Sequence, residues 1–195
     1  MNKKSFFNII DFGNSKIRFS TFDLNLEEKF SDSKNVFLDY DFKNHFEVIN
    51  KIIKNAEKKF SYHIEDIILI LDTAELFTIN ISLSKNLERK EKIRKLYEAL
   101  ILELNQIIGS HYNDYYISHI IMDQCITDNK KKFDEIPSDE VTAHNLKVDF
   151  KLICFPNKLI QKIKENFTKN NLGIINILCS SYIKSQSYAK KLSKD

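Results

Sequence analysis

The stretch "DFGNSK", Asp11 to Lys16, holds the residue types that handle phosphate. A glycine followed by small polar residues lets backbone N–H groups converge on an anion, because glycine reaches the φ > 0 conformations that form such a nest. Asp11, at the end of an apolar run, suits a Mg²⁺-bound water beside the phosphates, since magnesium keeps most of its waters. Gly13, Asn14 and Ser15 supply the turn, and Lys16 or Arg18 adds positive charge. The same residues also suit an ordinary hairpin turn, where Asp-x-Gly recurs for its turn chemistry alone. The residues by themselves leave both readings open.

Other reactive side chains assemble less well. The histidines at 45, 63, 111, 119 and 144 have no metal-ligand spacing among themselves or with the cysteines. His119 and Cys125 fall on one strand-like run but roughly 20 Å apart in extended chain. The serine in "CSSYIKSQS" lacks the flanking glycines of a nucleophile elbow, and Ser180 is better explained as a helix cap. Cys125, Cys154 and Cys179 are odd in number, widely separated and set in apolar surroundings, which marks buried free thiols. No catalytic residue and no metal site is assigned.

The phosphate-type turn needs two strands to present it, and the pattern supplies them. Phe6 to Ile10 and Lys16 to Phe22 are rich in β-branched and aromatic residues around turn chemistry, which predicts a β-hairpin. A third strand is expected at Asn35 to Tyr40. From Phe42 to Tyr62, apolar residues recur at steps of three and four, the mark of an amphipathic helix. Ile64 to Asp72 is an almost unbroken apolar run, suited to a strand covered on both faces. A strand at Leu76 to Leu83 follows, then a helix over Glu88 to Ile108 with Gly109 as its stop. Tyr115 to Thr127 and Leu146 to Phe155, joined by a polar loop containing Pro137, read as an antiparallel ribbon on which that helix packs. A helix from Asn157 to Lys169 broken by Gly173, a strand "GIINILCS" and a last helix from Ser180 to Lys194 complete the chain. Interleaved strands and helices place it among α/β or α+β folds.

Composition bounds the rest. The 195 residues are 43% hydrophobic, enough for a real core in one medium domain or two small ones. Thirty basic residues against 27 acidic ones leave a net charge of only +3, which argues against a nucleic-acid partner. The lysine-rich faces lack the arginines and exposed aromatics of a nucleic-acid surface and read as solvated. No run reaches the roughly 18–20 apolar residues of a membrane span, and "MNKKSFF" is followed too soon by Asp11 for a signal peptide. A cytoplasmic protein is expected.

The stretch "IIDFGNSKIRFSTFD" resembles the first phosphate loop of the actin, Hsp70 and sugar-kinase superfamily, strand–Asp-x-Gly-small-small-x-x-Arg/Lys–strand. The order of elements after it resembles the bacterial cell-division protein FtsA, in which a hairpin, a third strand and a helix are followed by an inserted subdomain. That insert is similar to "IEDIILILDTAELFTINISL", a helix, "YYISHIIMDQCITD", and the segment "NLKVDFKLICFPNKLIQKIKENFTKNNLGIINILCSS". The resemblance implies an α/β fold: an actin-like, ribonuclease H-like subdomain at residues 1–78 and 158–195, with a small α+β SHS2-type subdomain inserted at 79–157. It also implies that the chain stops before the family's second phosphate loop.

From that resemblance Asp11, Gly13, Asn14, Ser15 and Lys16 carry over as half of a nucleotide phosphate site, with Asn14 a departure from the usual threonine or serine. ATP with Mg²⁺ is then expected only in a full-length context, and ATPase activity is not expected of this chain alone. The resemblance implies septum assembly through protein–protein contacts: divisome partners and self-association through the insert, with an edge strand at Leu76 to Leu83 as a docking element. It implies no direct membrane anchor, and a place at the inner face of the membrane through partners. Alternatives within the superfamily are a type IV pilus assembly ATPase-like protein and a nucleotide-dependent kinase.

Overall fold

A computed structural model describes residues 6–13, 15–36, 43–128, 132–136 and 141–192. The chain divides into two compact units, residues 1–75 with 159–195, and residues 76–158.

In the first unit the opening hairpin forms as its alternation requires. Strands β1 (Phe7–Phe12) and β2 (Lys16–Phe22) pair antiparallel, with Ile10, Phe12, Ile17 and Phe19 all buried on one face. The third strand is β3, Glu28–Asn35, and it lies earlier than expected. Its sequence, "EKFSDSKN", is polar because it is a sheet edge with most side chains in solvent, so the apolar signal for a strand is weak there. The expected strand at Asn35 to Tyr40 falls mainly outside the described residues.

Helix α1 (Lys43–Phe60) buries the expected stripe, with Phe46, Ile49, Ile52, Ile53 and Ala56 all inside. It is followed by β4 (Asp66–Leu71), which lies parallel to β1. Helix α3 (Asn157–Thr168), β9 (Gly173–Cys179) and α4 (Ser180–Leu192) complete the unit, in a sheet of order β3-β2-β1-β4-β9. β9 runs parallel to β4.

Polar groups inside this sheet are paired, as buried polar groups must be. Thr21 donates to Asn8 Oδ1 at 3.0 Å, and Asn8 Nδ2 donates to the Asp66 carbonyl at 3.2 Å, so one buried amide joins β2, β1 and β4.

The end of α3 corrects one expectation. Gly173 does not break the helix: it opens β9 with its N–H bonded to the Glu65 carbonyl at 2.7 Å, and its φ is not positive. The left-handed residue is Asn171, at φ 57°. Its N–H bonds to Thr168 and that of Leu172 bonds to Phe167, the paired bonds of a Schellman cap with asparagine in place of glycine. Gly173 lies close to Asp66 instead: a Cβ there would stand 2.6 Å from Asp66 Oδ1, the end of an exposed side chain that can swing aside.

The second unit is a four-stranded antiparallel sheet of order β5-β8-β6-β7 with one helix, α2, on one face. Strand β5 runs Phe77–Lys92, β6 Tyr115–Thr127, β7 Lys132–Phe133 and β8 Thr142–Pro156, and α2 spans Ile93–His111. The helix therefore begins five residues later than its composition suggests.

Glu88, Arg89, Lys90, Glu91 and Lys92 are good helix formers, but propensity is a weak prior. Cross-strand pairing wins here, with Glu91 opposite Ala143 and Lys92 opposite Thr142 after a bulge that begins at Asn86. Ile93 is the first buried residue after that run, and there the helix starts. Gly109 lies inside α2 rather than ending it, and the helix closes at Tyr112.

Ile93, Leu96, Leu100 and Leu104 pack with Cys125, Leu146, Val148, Phe150, Leu152 and Cys154. Each such aliphatic side chain contributes about 1.5–3 kcal/mol by leaving water. On the other face Asp149 accepts hydrogen bonds from Ser82 and Gln124, both at 2.5 Å, with Lys147 Nζ at 3.4 Å. Burial alone would raise its pKa, but these bonds and the lysine charge outweigh it and hold the carboxyl below its usual range.

Candidate functional site

The turn expected to bind phosphate sits between β1 and β2, and its backbone is turned on itself. The Gly13 N–H donates to the Lys16 carbonyl at 3.2 Å. Among the described residues no glycine has a positive φ, so Gly13 does not adopt the left-handed conformation that motivated an N–H nest. The glycine is there for another reason: a Cβ at 13 would stand 3.0 Å from that same carbonyl oxygen. Asn14 lies outside the described residues. The Ser15 carbonyl accepts from Val36 N–H at 3.0 Å, which ties the turn to the end of β3, and Lys16 opens β2.

Asp11 and Arg18 stand directly opposite in the hairpin register. Their side chains form an ion pair, Arg18 Nη1 to Asp11 Oδ2 at 2.7 Å, with the aspartate 21% and the arginine 53% exposed. The carboxylate is already neutralised by its cross-strand neighbour. What this arrangement offers an anion is the side-chain charge of Lys16, more than a ring of free backbone donors, since Arg18 is taken up by Asp11. The residues thus suit a phosphate through one cationic side chain, and Mg²⁺ would meet Asp11 with a guanidinium in place.

The tertiary structure brings a further carboxylate to this end of the sheet. β1 and β4 are parallel, with Phe12 beside Leu71, and Asp72 N–H donates to the Phe12 carbonyl at 3.2 Å. Asp72 thus follows directly on β4, one residue past the partner of Phe12. The two acids close adjacent parallel strands at their carboxyl ends, where open α/β sheets place ligands. Sequence reasoning passed over Asp72; its signal was an acid at the end of the run "IILIL".

The remaining reactive groups do not converge. Among the described residues no group of three His, Cys, Asp or Glu side chains is placed to hold a metal ion. The three cysteines are free and buried. Burial pushes the Cys154 thiol up to about 11 and raises Cys125, which keeps both protonated near neutral pH. Burial likewise lowers the pKa of His119, favouring its neutral form. Ser180 is buried at the start of α4.

No protein-family profile matches the chain, and no curated protein sequence does. In structure it is similar to a chain of the PilM–PilN type IV pilus biogenesis complex, with a TM-score of 0.52 and 11% sequence identity, over 92% of this chain and 48% of that one. The chain thus spans about half the length of its match. At such low identity the likeness shows the fold, a mixed α/β chain with two sheets consistent with an actin-like architecture.

Proposed function

We propose that this chain is an actin-like-fold assembly protein of the pilus-biogenesis kind, which works by binding protein partners rather than by catalysis. The observation that carries the reading is the structural likeness to a chain of the PilM–PilN complex across 92% of this chain, both units included. The cell-division reading draws on the same fold, and no separate observation favours it. Residues 76–158 are the partner-binding unit, an SHS2-type subdomain in this reading. β5 is the outer strand of its sheet, and residues 77–84 carry no charge, no proline and no bulge, the devices that blunt a strand edge. An added strand there pairs through the main chain, with alternate side chains setting specificity.

The hairpin of residues 7–22 supplies one wall of a nucleotide site. With Asp11 held by Arg18 and Gly13 N–H committed to Lys16, this wall alone does not turn over ATP. The test is coexpression with a PilN-type protein of the same cell, followed by size-exclusion chromatography and a phosphate-release assay. Co-elution without steady phosphate release is the expected result. Separate elution, together with phosphate release that disappears in Asp11→Asn, would make the chain an enzyme and overturn the proposal.

A further inference from the structure

In the first unit the helices, α4 with its three lysines among them, are basic, and the strands with their loops are acidic. α1 and α3 lie on one face of the five-stranded sheet, joined by the Phe46 and Phe167 rings at 5.0 Å and by Asn50 Nδ2 donating to Asn170 Oδ1 at 2.9 Å. α1, from His45 on, carries four lysines against Glu47 and Glu57, one of them, Lys59, held by the Lys29 carbonyl at 2.9 Å; α3 from Leu159 on, with Lys169, carries three against Glu165. This layer carries a net charge of four positive, in a chain whose total is +3. Strands and loops in residues 6–36 and 61–75 hold nine acids and four basic residues. Glu57 turns toward the end of α1, where it is bonded by His63 and by the Ile64 N–H.

The kind of partner follows from what the layer lacks. Protein interfaces depend on apolar and aromatic anchors at their centre, but here Phe46, Ile49, Ile53, Ile160, Ile163 and Phe167 are all turned inward. Neither helix has an arginine, so the planar fork that grips single phosphates and guanine edges is missing. Lysines spread over two side-by-side helices are diffuse point charges on flexible stems. They match a diffuse anionic sheet, whose potential attracts basic residues without requiring geometry. Among the described residues no helix is long and apolar enough to cross a membrane, so attachment would be peripheral.

We infer that the outer face of α1 and α3 docks on an anionic lipid surface, reversibly and by electrostatics alone. The test is sedimentation of the full chain with phosphatidylcholine vesicles containing or lacking phosphatidylglycerol, at low and high salt. The expected result is binding only to the anionic vesicles, lost at high salt as the Debye length shrinks. Each basic residue near such a surface contributes roughly 5-fold, so Lys51→Gln/Lys54→Gln/Lys58→Gln lowers partitioning roughly 100-fold. The triple Lys85→Gln/Lys90→Gln/Lys92→Gln removes the same charge from the other unit and leaves binding within a few-fold; thermal melting confirms that both variants fold. No phosphatidylglycerol-dependent binding at low salt, equal loss in the two triples, or tighter capture of duplex DNA than of anionic vesicles would each overturn the inference.

Discussion

Replacing Asp11 by asparagine and Arg18 by glutamine, singly and together, measures what the hairpin pair is for. The charged atoms stand 2.7 Å apart on directly opposed residues. At that distance Coulomb's law in bulk water gives about 1.5 kcal/mol. Ordering two side chains, one of them about half in solvent, takes back much of it, and exposed pairs yield about 0.2–1 kcal/mol in double-mutant cycles. The expected coupling energy, read from urea denaturation of the four proteins, is therefore about 0.5–1 kcal/mol, falling in high salt. Each single variant stays folded, so a change in its affinity for phosphate compounds reports on the site and not on stability. A coupling near zero at low salt would mean that the pair does not form. A coupling above about 2 kcal/mol that ignores salt would mean a desolvated pair, and the picture of an accessible turn would fail.

Two further outcomes follow from local geometry. Asn171 holds φ 57° in the cap of α3, so Asn171→Gly is expected to raise stability by about 0.5–1 kcal/mol and Asn171→Ala to lower it by about 1 kcal/mol; calorimetry decides, and Gly173→Ala should matter less, since only the exposed Asp66 carboxylate obstructs the new methyl group. Asp149 has its pKa held below the ordinary 3.8, so its stabilisation is full above that value and is lost as pH falls through the lower folded-state value. Against Asp149→Asn the wild-type advantage, about 1–2 kcal/mol at neutral pH, should shrink below about pH 4; an advantage constant with pH would assign it to packing.

The helices with strong apolar stripes are legible in the amino-acid sequence, because periodicity and burial describe the same face. α1 and the interior of α2 lie where Phe46 to Ala56 and Ile93 to Leu104 put them. Boundaries are less legible, for reasons that differ by element. β3 is a polar edge strand and carries little apolar signal. Residues 88–92 are helical by composition and extended by pairing. Gly173 looks like a helix stop, but the left-handed residue lies two positions earlier, in an asparagine. Each of these turns on a contact with a segment distant in sequence, or on one dihedral angle, and neither is encoded in local composition.

The candidate site divides in the same way. Sequence alone determined that a glycine turn with an acid before it and bases after it joins two strands, since those residue types are local and dictate a hairpin. Tertiary structure decided what the turn offers. Cross-strand register placed Arg18 against Asp11, the parallel pairing of β1 with β4 brought Asp72 to the same end of the sheet, and the side-by-side packing of α1 and α3 collected lysines from residues about 100 apart into one layer. Electrostatics acts through distance in space, and only the folded chain sets those distances.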